Sequence, residues 1–198
     1  MPLKGKMIFI SEFAPDEIRR VTAFIEEANK IIFNYFGTTT SFDILICRGS
    51  WQMELQMISR KHHSGHSGFI DYKIVGITDY QLEEIVIRYD TAKFGHYLHE
   101  LIHGIIHKSH PHQLKEGLTW YFTLKLTEKH RYVRPSYPVW IDEIYIHPTA
   151  ELVRTVGEDF VRDLALGRAA VLPELLPRDL QDLFLPESLF YSNKRSYG

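Results

Sequence analysis

The stretch Tyr97-Leu98-His99-Glu100-Leu101-Ile102-His103-Gly104-Ile105-Ile106-His107, with Leu114-Lys115-Glu116-Gly117-Leu118-Thr119-Trp120-Tyr121-Phe122 just after it, decides how the rest of the chain is read. Leu98, Leu101, Ile102, Ile105 and Ile106 recur at helical spacing, which predicts a helix. On that helix His99 and His103 fall one turn apart on one face, the spacing at which two imidazoles share a zinc ion. Glu100 follows the first ligand directly and points to one side of the metal, where it holds a water without binding the ion itself. Zinc lowers the pKa of such a water to about 7, and a neighbouring carboxylate can pass its proton to a leaving amine. That chemistry hydrolyses peptide bonds.

An open catalytic zinc site takes three protein ligands, so a third is expected. Pro111 disfavours helical geometry at His110, and residues 113–127 read as a second amphipathic helix. Glu116 lies in its first turn, with 12 residues between it and His103. A short connection makes the two helices antiparallel neighbours and carries Glu116 back towards the end of the first. The other histidines compete less well. A stripe of His99, His103 and His107 extends along the helix, about 5.4 Å per turn, so His107 is a reserve ligand beside Glu116. Surface or structural roles suit His96, His110 and His112.

The two motifs together resemble the gluzincin group of zinc metallopeptidases, which includes thermolysin-like and aminopeptidase-like enzymes. The group's second motif reads roughly Leu-x-Glu-Gly-Leu/Phe-Ala-x-Tyr/Phe. The resemblance covers about 26 residues and implies a zinc ion held by His99, His103 and Glu116, with Glu100 as the base. It also implies an α+β, zincin-like fold: an amino-terminal mixed sheet with helices, the His-Glu-x-x-His helix, and a small, mainly helical carboxy-terminal subdomain. In that family an edge strand before the site helix pairs with extended substrate, and residues 69–78 are the candidate. The family's oxyanion-stabilising Tyr or His maps best onto Tyr191, within Phe190-Tyr191-Ser192-Asn193, with Tyr145 and His147 as rivals. Two departures stand out. The interval of 12 residues is shorter than in large gluzincins, and Trp120 stands where thermolysin-like enzymes place an Asp that supports a ligand histidine.

With 198 residues the chain can bury a full core, as one catalytic domain divided near residues 129–138 into a sheet-bearing part, 1–128, and a helical part, 129–198. A net charge of −2 and the lack of a basic face argue against a nucleic-acid partner. Cys47 stands alone, so no disulfide framework can form. The apolar run at residues 7–10 is too short for a signal peptide, and none reaches membrane-spanning length, so the cytoplasm is expected. The expected partner is a peptide or protein substrate, with no membrane; oligomeric state has no signal.

Along the chain, residues 7–10 and 42–47 read as strands and 16–36 as a long helix stopped by Gly37. Residues 51–58 alternate Trp51, Met53, Leu55, Met57 against polar neighbours and read as a half-buried strand. His62, His63 and His66 fall in a polar loop and stay outside the site. Residues 69–78 and 84–89 are further strands, and Asp90-Thr91 is expected to cap the site helix. Residues 130–138 read as a loop, 140–146 as a short strand or helical turn, 149–166 as one helix ending at Gly167, and 172–184 as an apolar, proline-punctuated segment.

Two other functions compete with a peptidase. One is a zinc-binding regulatory or interaction protein of the same fold without turnover. The other is an intracellular metalloprotease that cuts a repressor under stress, a class that lacks the Glu-Gly-Leu continuation. Gly65 to Gly68 and Glu143 carry no motif that separates an aminopeptidase from an endopeptidase.

Overall fold

The computed structural model describes residues 4–59, 75–135 and 137–186. The fold is mixed α/β and divides into two compact units, Met1–Ile105 with Leu126–Pro135, and Ile106–Lys125 with Ser136–Gly198. No described helix is long and apolar enough to cross a membrane.

The first unit is built on a four-stranded sheet of β1 (Met7–Ile10), β2 (Asp43–Cys47), β3 (Gly76–Asp79) and β4 (Glu84–Arg88), in the order β1-β2-β4-β3. Strands β1, β2 and β4 run parallel, and β3 lies antiparallel on the β4 edge. The apolar runs Ile44 to Cys47 and Ile85 to Ile87 are fully buried, as inner parallel strands covered on both faces must be. Alternation sends Leu45, Cys47 and Val86 to one face, where they pack with Met53, Ile8, Ile10 and Ile77. The lone cysteine is therefore a small core residue.

Helix α1 (Pro15–Phe36) starts with Pro at its first position, and the Glu17 carboxylate accepts from the Ala14 N–H at 2.8 Å. Val21, Ile25, Ala28, Ile32 and Phe36 recur at three and four residues and are buried. Each of the larger ones contributes about 1.5–3 kcal/mol on leaving water. The helix ends at Gly37, whose φ of 72° is the left-handed cap the sequence predicts.

The expected strand at 51–58 is instead helix α2 (Ser50–Ser59). Trp51 and Leu55 are exposed while Met53 is fully buried, so the apolar alternation does not mark one sheet face. Met, Gln, Glu and Leu are good helix formers, and that preference prevails over a short period-two pattern.

Helix α3 (Phe94–His103) carries the first motif, and α4 (His112–Lys129) carries the second. Asp90 does not cap α3. The cap residue is Lys93, whose N–H donates to His96 Nδ1 at 3.0 Å, while Asp90 pairs with Arg88 at 3.0 Å. Helix α3 also stops a turn short of the predicted pattern, at Gly104, a residue of low helix propensity that turns the chain before Ile105 and His107. Of the expected edge strand, Gly76 to Thr78 belongs to β3, while residues 69–74 lie outside the described residues.

In the second unit, Leu114, Leu118 and Phe122 form a fully buried stripe on α4, and Thr119 and Thr123 are buried too. The predicted helix at 149–166 is two, α5 (His147–Val156) and α6 (Glu158–Ala165), entered through a π-helical turn at Asp142–Ile146. Gly157 breaks it, with φ 88° and ψ 148°, a conformation that L side chains rarely adopt. The segment beyond Gly167 holds two 3₁₀ turns around the short α7 (Arg178–Gln181).

Candidate metal centre

Burial sets the two motif histidines apart from ordinary surface imidazoles. His99, Glu100 and His103 are at most 8% exposed, on a helix whose other face buries Leu98, Leu101 and Ile102 completely. The Nε2 atoms of His99 and His103 stand 3.2 Å apart with their rings at 80°. A tetrahedral zinc with metal–nitrogen bonds of about 2.0–2.1 Å spans about 3.3–3.4 Å between two ligands, so the pair is spaced to share one ion.

Glu116 completes the donor set. One ligand atom from each of His99, His103 and Glu116 lies within 4.8 Å of the others. That bound exceeds a closed tetrahedral edge by about 1.4 Å, a movement within reach of a side chain with three rotatable bonds. Two imidazoles and one carboxylate form a borderline donor set, suited to zinc and to other divalent transition metals.

The strand beside α3 fixes the remaining groups. Residues 76, 78 and 80 alternate along β3 and past its end, so they share a side, opposite to Ile77 in the core. That side meets Glu100 and His103. Thr78 Oγ1 donates to Glu100 Oε2 at 2.9 Å. A Cβ added at Gly76 would stand 2.5 Å from Glu100 Oε1, so only glycine leaves the carboxylate its place. The Tyr80 hydroxyl lies 3.0 Å from His103 Nδ1, and with a metal on Nε2 this nitrogen carries its proton towards the phenol oxygen. Asp79 sets the turn that aims Tyr80, accepting from the N–H groups of Gln81 and Leu82 at 2.7 and 2.9 Å.

The side chain that stands beside His103 Nδ1 is thus that of Tyr80. Trp120 packs against Tyr137, with ring centroids 4.8 Å apart. Neither Thr78 nor Tyr80 was singled out from the sequence, although a signal existed: Gly-Ile-Thr-Asp-Tyr places three residues at period two, one strand before the motif helix.

The other expected residues separate from the group. His107 leaves the helix, is exposed, and its Nδ1 lies 2.7 Å from Ser109 Oγ. It is not a reserve ligand, because α3 ends before the next turn would present it. His110 donates through Nε2 to the Leu164 carbonyl at 2.7 Å, and burial lowers its pKa. Burial likewise lowers the pKa of His96, which accepts from Lys93 as a neutral ring. Tyr145 is buried beside Trp140 and His112, and His147 is exposed. Tyr191, Gly65 to Gly68, and the loop histidines His62, His63 and His66 lie outside the described residues.

Comparison with protein-family models, with curated proteins and with solved structures finds no match to this chain.

Proposed function

We propose that this protein is a zinc-dependent metallopeptidase of gluzincin type, with His99, His103 and Glu116 as ligands and Glu100 as the general base. The carrying observation is the 3.2 Å separation of the two Nε2 atoms, with the Glu116 carboxylate grouped beside them. A bound zinc supplies Lewis acidity and a water acidic enough to lose a proton near neutral pH. Glu100 takes that proton and returns it to the departing amine nitrogen. Thr78 holds the Glu100 carboxylate in place by donating to Oε2.

The sheet supports a zincin-like assignment and a peptide substrate. Strand β3 is an antiparallel edge strand, and no described strand pairs with its outer side. Arg88 N–H donates to the Val75 carbonyl at 2.8 Å, so hydrogen-bonded pairs fall at 75, 77 and 79. The backbone groups of Gly76 and Thr78 therefore point away from β4, free to pair with an extended chain. Such pairing would carry a scissile bond past the carboxylate that Thr78 holds.

The experiment is Glu100→Gln. The variant should keep its metal and lose about 10²–10⁴-fold in cleavage of a mixed peptide library. Retained cleavage would remove Glu100 from the mechanism. Metal bound at one equivalent in wild-type protein that cleaves no peptide would favour a zinc-binding protein without turnover.

A further inference from the structure

A second feature of the first unit lies at the opposite end of α3. A cavity of about 520 Å³ opens where the helix starts, lined by Arg20, Phe24, Lys93, Phe94, Tyr97 and Tyr132 among others. Its wall is aromatic. Phe24 stands edge-on to Phe94 at 6.0 Å and tilted to Tyr97 at 5.7 Å, and Phe94 stacks on Tyr132 at 3.8 Å.

Tyr97 supplies the polar point inside that wall. It is 1% exposed, and its hydroxyl meets no hydrogen-bond partner among the described residues. That hydroxyl is not sealed from solvent: it opens to the cavity that Tyr97 lines, where an oxygen of water or of a ligand can accept from it. Burial pushes the Tyr97 pKa up to about 12, which keeps the hydroxyl a donor at neutral pH.

The rim is positive. Arg20 and Lys93 are exposed there, with the Arg20 guanidinium 5.2 Å from the Tyr89 ring. Lys93 is the cap of a helix with no acidic residue in its first turn, the reverse of what the helix dipole favours. The lining's carboxylate, Asp90, is already paired with Arg88. Two cations, a helix start and an unpaired donor surround an apolar wall.

We propose that this cavity binds a small arylalkyl carboxylate. Its ring lies against Phe24, Phe94 and Tyr132, and its carboxylate accepts from the Tyr97 hydroxyl between Arg20 and Lys93. The site shares no residue with the metal group, so it stands whether or not the protein cleaves peptides.

Titration of the protein with 4-phenylbutyrate and with 4-phenylbutan-1-ol, followed by ligand-observed NMR and calorimetry, tests this. The carboxylate should saturate one site, with the alcohol about tenfold weaker. Replacing both exposed cations, Arg20→Gln with Lys93→Gln, should bring the carboxylate down to the level of the alcohol without touching the core. Tyr97→Phe, which keeps the ring, should weaken the carboxylate about threefold to tenfold. Absent or non-saturating binding, equal affinity for acid and alcohol, or indifference to the cation pair would each overturn the proposal.

Discussion

His103 follows His99 at the fourth position along the chain, and His107 follows His103 at the same interval. The first pair is buried with its ring nitrogens 3.2 Å apart, and the third imidazole is exposed and turned to Ser109. The difference is one glycine. Helix α3 ends at Gly104, so equal spacing in sequence becomes one buried pair spaced to share an ion and one surface ring. His110 makes the contrast sharper, since it is drawn to the Leu164 carbonyl and spends its N–H there. Spacing nominates ligands, while helix length and burial select them.

The largest test of this contrast pairs His103→Ala with His107→Ala. The first should lose its metal on dialysis, because two remaining donors do not hold the ion, and the second should keep a full equivalent when metal is measured by emission spectroscopy. Metal loss from His107→Ala would return that residue to the ligand set.

Next in size is Tyr80→Phe, which removes the hydroxyl 3.0 Å from His103 Nδ1 and keeps the ring. Zinc affinity measured by chelator competition should fall about 10- to 100-fold, as for other outer partners of metal-bound histidines. Thr78→Val is smaller. Its isosteric side chain no longer donates to Glu100, and kcat should drop about tenfold with metal content unchanged. An equal fall in bound metal would mean that Thr78 supports the fold of the site and not the base alone.

The smallest effect concerns His110, whose pKa burial holds below the ordinary 6.5, with His107 and Lys115 nearby adding to the same direction. As pH falls through about 6.5 the unfolded chain takes up a proton before the folded one does, so stability present above that pH is lost on acidification. His110→Gln can still donate to Leu164. Its melting temperature should fall less than wild type between about pH 7.5 and about pH 5.5. An identical fall would place the titration elsewhere.

Much of the fold was legible because periodicity and stop signals agree with burial. The runs at residues 7–10, 42–47 and 84–89 became strands, the second and third largely buried, and 16–36 a helix ending at Gly37. Residues 51–58 misled because alternation over eight residues does not outweigh helix-forming side chains, with Met53 in the core and Trp51 and Leu55 exposed. Residues 149–166 misled because a long apolar pattern hides the break that Gly157 imposes. Glu116 was legible because a proline break and a short connection bring the first turn of the next helix back. Thr78 and Tyr80 were not, since their work depends on which helix passes over an edge strand, and no local pattern states that.

The sequence alone determined the candidate donor set, two imidazoles one helical turn apart and a carboxylate in the first turn of the next helix, with Glu100 between the imidazoles as the expected base, because helical geometry follows from chain chemistry. Only the tertiary structure decided which histidines are buried and grouped with Glu116, what contacts Glu100 and His103, and that the Tyr97 hydroxyl has no hydrogen-bond partner among the described residues. Those outcomes depend on contacts between residues far apart in the chain, here β3 against α3 and α1 against α3, and such contacts leave no mark in local spacing.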